Sequence, residues 1–484
     1  MSRAQAIDYP GPIGSRPAPT ARPIRAIAPS MWEVRPVAFT VVCLVSLFLY
    51  FEVQWQEWFL WLLRGYLVKV WLPPLALLFW VLIEREKLDL HVGVFLFSNL
   101  ALYSVFALLS LYVNETTYFA FKWYLIMIAP VWSFVVIVTK FRSNVDIRRF
   151  LRVLLICGVA QAAYSTYSFN AWIGSGQSQR PEIVTNQGNT IGGGEGAKFS
   201  VTAGTPTARF GDVSFEQGKF AALLFPLAVL GLCYAGNGSF RTRLLGFGLA
   251  LAILYLTVAT NSRAAVIASI VAMSSLLYYQ AKLGFVRKKI WLLMAPAVLL
   301  VLVSNLPTWL RLLQGLTYFD VDARLPLVGD LMAQYGVARW DDTHLTSIGD
   351  SLRYLSRNYL LGAGYSEVLF SNPEYGSEHN RVVFILASTG LLTAGPYVAF
   401  VSGLLVQNWR CMWQAYPNNR QEAQLGLVLF TCNLMFIIKL VGEGYETFYY
   451  WTFFALTAAW MRNCRRDWRL QRAIARADWR ARGG

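Results

Sequence analysis

Residues 90–139 read LHVGVFLFSNLALYSVFALLSLYV-NET-TYFAFKWYLIMIAPVWSFVVIVT. Two apolar runs, 90–113 and 117–139, flank a three-residue polar break at 114–116. Each run is long enough to cross a hydrocarbon core, which takes about 20 helical residues. In lipid a backbone must satisfy its own hydrogen bonds, so such runs form helices or a closed barrel. Barrel strands alternate polar and apolar residues, and these runs do not.

The same pattern recurs on both sides of this stretch. Further spans are predicted at 37–53, 66–83, 150–173, 215–235, 244–260, 264–280, 289–305, 382–407, 423–441 and 445–461. The 382–407 segment is long for one span. Gly390, Gly395 and Pro396 are candidate break points that would divide it into a short interfacial piece and a true span. Of 484 residues, 56% are hydrophobic and only 14% charged, well below the roughly 25% of a soluble chain. The expected fold class is therefore all-α: a polytopic membrane protein of about 12 transmembrane helices, with a large, partly helical loop on one side.

The net charge of +16 sits mostly in short loops between the apolar runs, which argues against a nucleic-acid partner. Loops 84–89, 140–149, 236–243, 281–289 and 408–422 hold 2, 4, 2, 4 and 2 Lys plus Arg, and the tail from 462 holds eight arginines. The short loops on the other side, 114–116 and 442–444, hold none. This asymmetry places both tails and the basic loops in the cytoplasm. Residues 1–35, with six prolines and five arginines, read as a disordered tail with no cleavable signal. Residues 36–461 form the membrane domain and 462–484 a basic cytoplasmic tail. Two long segments, 174–214 and 306–381, then lie outside. Within the second, residues 346–364 (TSIGDSLRYLSRNYLLGAG) read as a helix, with Gly362 as its C-terminal stop.

Cys43, Cys157, Cys233 and Cys432 fall inside apolar runs, and Cys411 and Cys464 in basic cytoplasmic segments. No structural disulfide is expected, and no zinc spacing is present.

Ionisable groups near membrane depth are costly and default to functional candidates. Arg263 stands between two apolar runs in TNSRAAVIAS. Arg209 and Lys219 lie in TARFGDVSFEQGKF, ahead of the sixth span. An arginine at a span end also serves simply by snorkelling. His379 opens the 382–407 segment in GSEHNRVVFILASTG, where a lone histidine also has structural uses. Arg353 and Arg357 are four apart and share one face of the loop helix. The loop aspartates, Asp320 to Asp350, lack the spacing of a calcium loop and read as a solvated surface.

Four fragments, in this order, resemble the O-antigen ligase/polymerase family: RFGDVSFEQGKFAALLFPLAVLG, TNSRAAVIAS, NYLLGAGY and EHNRVVFILASTGLLTAGPYVAFV. The likeness covers roughly residues 205–460. Tyr359 stands where the family usually has proline, and Gln217-Gly218 replaces a common pair before the sixth span.

The resemblance implies a reaction at the periplasmic face of the bacterial inner membrane. A glycan on undecaprenyl diphosphate passes to an acceptor hydroxyl, with inversion and without a metal or other cofactor. The acceptor is the lipid A core for a ligase or a second lipid-linked glycan for a polymerase, and polysaccharide-export partners go with either. The chemistry of the residues agrees. A lipid diphosphate leaving group needs cations where charge develops, and arginine's planar fork suits phosphate oxygens. Arg209 and Arg263 are assigned to that role, with Arg353, Arg357 and Lys219 as supporting cations. The acceptor needs a base near neutral pH, which histidine provides. His379 is assigned to it, with Glu378 to orient or replace it. Ligase-like transfer is the leading reading and polymerase the near alternative. A flippase or transporter of lipid-linked glycan is the rival from another class, and a structural subunit of a secretion complex the third. Transport would be favoured by repeats between halves, and the sequence has none.

Overall fold

The computed structural model describes residues 92–174, 183–184, 190–191, 224–233, 240–259, 263–284, 358–370, 381–417, 419–442 and 448–481. The tail 1–35 and the spans expected at 37–53, 66–83 and 289–305 lie outside the described residues.

The described chain is helical apart from one two-residue pairing. In order, the elements are α1 (Val94–Asn114), α2 (Thr117–Lys140), α3 (Asn144–Gly174), β1 (Ile183–Val184), β2 (Thr190–Ile191), α4 (Leu224–Cys233), α5 (Phe240–Ala259), α6 (Arg263–Lys282), α7 (Tyr365–Phe370), α8 (Arg381–Ala415), α9 (Arg420–Gly442) and α10 (Phe448–Ala481). β1 and β2 pair antiparallel, Ile183 with Ile191 and Val184 with Thr190. Five of the helices, α1, α2, α6, α8 and α9, are long and apolar enough to cross a membrane.

Burial sorts the helices by depth. α1 buries Leu96, Leu100, Tyr103, Ala107 and Leu111 at helical spacing. Its other face exposes Val94, Phe95, Val105, Leu108, Leu109 and Val113, so both faces are apolar. α10 differs. Residues 449–464 are buried on every side, as befits the central helix of a bundle. α8 packs along α1, α9 and α10, α2 along α10, and α6 along α9. Where α2, α8 and α10 cross, Phe400 stacks on Trp451 at 5.7 Å and 16°, with Phe134 edge-on to Phe400 at 5.3 Å. Offset and edge-on pairs of this kind add about 0.5–1.5 kcal/mol each beyond burial.

Hydroxyls inside these apolar helices bond back to the carbonyl four residues earlier. Ser133 donates to Ala129, Thr431 to Leu427 and Thr457 to Phe453, at 2.8–3.0 Å. These three hydroxyls are thus satisfied without water.

The helix ends fall into two groups. At one end the α2–α3 turn meets the starts of α9 and the middle of α10. Asn144 donates to Glu422 at 2.7 Å, Trp460 Nε1 to the same carboxylate at 3.2 Å, and Arg148 forms an ion pair with it. Asn463 donates to Asn144 and to the Phe141 carbonyl, both at 3.1 Å, and Arg465 to Gln407 at 2.8 Å. Tyr416 donates to the Leu283 carbonyl at 2.9 Å, so the ends of α6 and α8 belong here too. Burial raises the Asp146 carboxyl above its ordinary range at this end, although Arg149 and Lys140 draw it down. The opposite end gathers the 114–116 turn and residues 358–367. Among the described residues, segments that the charge count assigns to opposite sides therefore lie at opposite ends.

The elements match the expected spans with differences at the boundaries. α3 starts at Asn144 rather than 150, and α8 runs on to Ala415. α10 does not stop at 461 but continues through the basic segment to Ala481. Arg, Ala, Leu and Gln are all good helix formers, and no Gly or Pro interrupts them before Gly483.

Candidate functional site

The residues assigned to chemistry are mostly beyond description. His379, Glu378, Arg209, Lys219, Arg353 and Arg357 lie outside the described residues. Arg263 opens α6. The helix is about 30 Å long at 1.5 Å per residue, and its other terminus lies beside Tyr416. Arg263 therefore begins α6 at the end that holds the 114–116 turn. Chain position puts His379 and Glu378 between Phe370, the last residue of α7, and Arg381, the first of α8.

Two of the motif fragments meet there. α8 is broken at Gly390, whose φ of 75° and ψ of 179° are not helical. A break strands amide donors and carbonyl acceptors, which cost free energy wherever water is excluded. The segment 358–364 supplies their partners. Leu391 and Leu392 donate to the carbonyls of Tyr359 and Leu360 at 2.9 and 3.2 Å. In return Ala363 and Gly364 donate to the carbonyls of Ala387 and Ser388, both at 2.9 Å. Four main-chain bonds thus splice NYLLGAG into the broken helix.

Glycine makes this approach possible. Gly362 has φ +72°, and a Cβ there would stand 2.5 Å from the Ser388 carbonyl carbon. A Cβ on Gly390 would overlap the Leu360 carbonyl. Gly362 also donates to the Asn358 carbonyl at 2.7 Å while Leu361 donates to Asn358 Oδ1 at 3.1 Å. This is a turn closed by a left-handed glycine; the helix that the sequence expects to stop there lies, up to residue 357, outside the described residues. Of the three break points in α8, Gly390 is the one used. The helix continues through Gly395 and Pro396.

The end of α1 holds the splice in place. Ser110 and Asn114 both donate to the Leu361 carbonyl, at 2.5 and 3.0 Å. Glu115 Oε1 accepts the Ser366 amide at 2.5 Å, and Trp123 Nε1 donates to Ser366 Oγ at 2.8 Å. Trp123 stacks on Tyr365 at 4.5 Å, and Tyr365 stands edge-on to Phe384 at 4.8 Å. Lys122 lies over Trp123 at 4.8 Å and Arg381 over Phe384 at 5.7 Å. Between the α1–α2 turn and the segment 358–367 is an open pocket of about 620 Å³, lined by polar residues together with Phe119, Gly362 and Ala363.

Sequence reading passed over one residue here. Lys439, in the last turn of α9, is fully buried at 0% exposure. α9 starts at the Glu422 end, so Lys439 lies toward the end with the splice. The signal was a lone lysine in the apolar run FIIKLV, the pattern that marks an intramembrane functional group.

No protein-family model and no curated protein matches this chain.

Proposed function

We propose that this chain is a polytopic protein of the bacterial inner membrane that transfers a glycan from undecaprenyl diphosphate to an acceptor hydroxyl on the periplasmic face. The observation that carries the reading is the splice. The fragments NYLLGAGY and FILASTGLL, recognised separately in sequence, form one hydrogen-bonded unit, and chain position puts His379 between them. The apolar faces exposed on α1 and α2 suit lipid, and the two groups of helix ends suit alternating loops with the tails in the cytoplasm.

In this mechanism Arg209 and Arg263 hold the diphosphate, with Lys219, Arg353 and Arg357 adding positive charge. His379 takes the proton of the acceptor hydroxyl, and Glu378 orients the imidazole. The acceptor oxygen bonds to the anomeric carbon from the face opposite the diphosphate. The bond from that carbon to the phosphate oxygen breaks, and its electron pair leaves with undecaprenyl diphosphate. Cations in place before reaction stabilise that charge without reorganising. Ligase and polymerase differ only in the acceptor, and the ligase form is the one proposed.

The test is purified protein with lipid-linked glycan and acceptor, and no nucleotide sugar. Glycan transfer is expected. Movement of the lipid-linked glycan across a vesicle membrane without transfer would establish a transporter instead.

A further inference from the structure

We propose that the basic extension of α10, residues 465–480, is a binding surface for the phosphate groups of anionic lipid in the cytoplasmic leaflet. Its orientation rests on the reading above, and its chemistry is independent of glycan transfer.

The helix sorts the charges of this segment. α10 stays helical to Ala481, so side chains three and four apart share a face. Arg465, Arg469, Arg472, Arg476 and Arg480 follow at steps of four, three, four and four and form one stripe. At about 100° per residue, Asp467 and Asp478 fall on the opposite side. Leu470, Ala473, Ile474 and Ala477 line one edge of the stripe, and Trp468 and Trp479 the other. Leu470, Ile474 and Trp479 are exposed, as are Arg469, Arg472, Arg476 and Arg480. A helix face that is merely solvated mixes charges of both signs. Here one sign takes the face and apolar residues flank it, the pattern of helices that bind anionic membrane surfaces.

The bundle marks where the lipid headgroups lie. At this end α6 and α8 carry Tyr278, Tyr279, Trp409, Trp413 and Tyr416. Trp409 Nε1 donates to the Tyr279 hydroxyl at 3.2 Å, and Lys282 lies over Tyr278 and Trp413 at 5.6 and 5.2 Å. Aromatic residues and long cationic side chains gather in this way at a membrane–water interface. Arg465 is at the same level, because it donates to Gln407, two residues from Trp409. Each further residue of helix adds about 1.5 Å. Arg469 and Arg472 therefore stand about 6 and 10 Å farther along the axis, Arg476 about 16 Å and Arg480 about 22 Å. The headgroup layer is about 5–8 Å deep, and charges act across about 8 Å more at physiological salt. Even with α10 along the membrane normal, Arg465 and Arg469 meet lipid phosphates directly, and Arg472 and Arg476 stay within reach of their field. Only Arg480 stands clear. The root of the stripe is fixed as well, since Arg466 donates to the Arg142 carbonyl at 2.9 Å. Arginine's fork matches phosphate oxygens. A second copy of the helix would bring like charge and be repelled.

The experiment places the full chain in nanodiscs of mixed phosphatidylglycerol and phosphatidylcholine. Native mass spectrometry counts the lipids that stay on the protein when the disc is stripped away. The parent should retain phosphatidylglycerol in preference, and added salt should weaken that preference. A basic residue near an anionic surface is worth about a fivefold change in affinity. Arg469→Gln should therefore lower the preference about fivefold, and Arg469→Gln with Arg472→Gln roughly 25-fold. Arg480→Gln should stay near the parent. The three side chains are exposed and glutamine is a good helix former, and thermal unfolding checks that the variants fold. A parent that retains both lipids alike, or a double variant that keeps the parental preference, would overturn the lipid surface. Equal losses from Arg480→Gln and Arg469→Gln would overturn it too, and point to a soluble acidic macromolecule that grips the whole stripe. In each of these cases glycan transfer by the same preparation would leave the transferase reading standing.

Discussion

Replacing Gly362 by alanine should cost far more than replacing Gly395, although both are small changes beside the same helix. Gly362 has φ +72°, a conformation that costs an L-residue about 1–2 kcal/mol. The added Cβ would stand 2.5 Å from the Ser388 carbonyl carbon and 2.6 Å from both its oxygen and the Thr389 nitrogen. These are backbone atoms and cannot swing aside. The segments must separate, which breaks the bonds from Ala363 to Ala387 and from Gly364 to Ser388. Each buried group left unmet costs about 1–3 kcal/mol. The expected loss is on the order of 3–8 kcal/mol, and Gly390→Ala should lose a similar amount by its overlap with Leu360. At Gly395 no heavy atom lies within 4 Å of a built Cβ, and the backbone is helical. Alanine there should be neutral or stabilising by up to about 1 kcal/mol. Thermal unfolding in one detergent, with proteolysis across 358–364 as a local probe, reads the difference. If Gly362→Ala and Gly390→Ala melt and resist protease as Gly395→Ala does, the splice is not the structural joint described here.

His379→Ala should lower turnover by ~10²–10⁴-fold, the usual contribution of a positioned base, while lipid-linked donor still binds. Near-parental turnover by His379→Gln would move the proton transfer to a carboxylate such as Glu378. Arg209→Ala and Arg263→Ala should each cost roughly 2–4 kcal/mol of transition-state stabilisation, with only partial rescue by lysine, which lacks the planar fork. Parental transfer rates in both alanine variants, at normal expression, would remove the arginine clamp. A single cysteine at residue 330 should react with an impermeant maleimide only from the periplasmic side, and one at residue 470 only from the cytoplasm. Labelling of residue 330 from the cytoplasm would reverse the orientation and remove the mechanism with it.

Much of the fold was legible because the information is local. An apolar run of about 20 residues in lipid has to be helical, so α1, α2, α6, α8 and α9 follow from hydropathy alone. Gly390 as a candidate break also follows from one residue's property, the missing Cβ. Where a helix ends was less legible. Polar and basic residues mark the limit of lipid, not the limit of hydrogen bonding, so α10 runs past Met461 to Ala481.

The sequence by itself determined the apolar helices that the structure describes, and its charge count assigned the loops to two sides. It also nominated cations and a histidine by chemistry. The tertiary structure decided which segments meet. Glu115 accepts the amide of Ser366 across 251 positions of chain, and Asn463 reaches Asn144 across 319. No local period encodes such partners, because a polar side chain in an apolar run is compatible with many neighbours until packing selects one. The splice is of the same kind. A glycine permits a broken helix, but only another segment with matching donors and acceptors makes the break stable away from water.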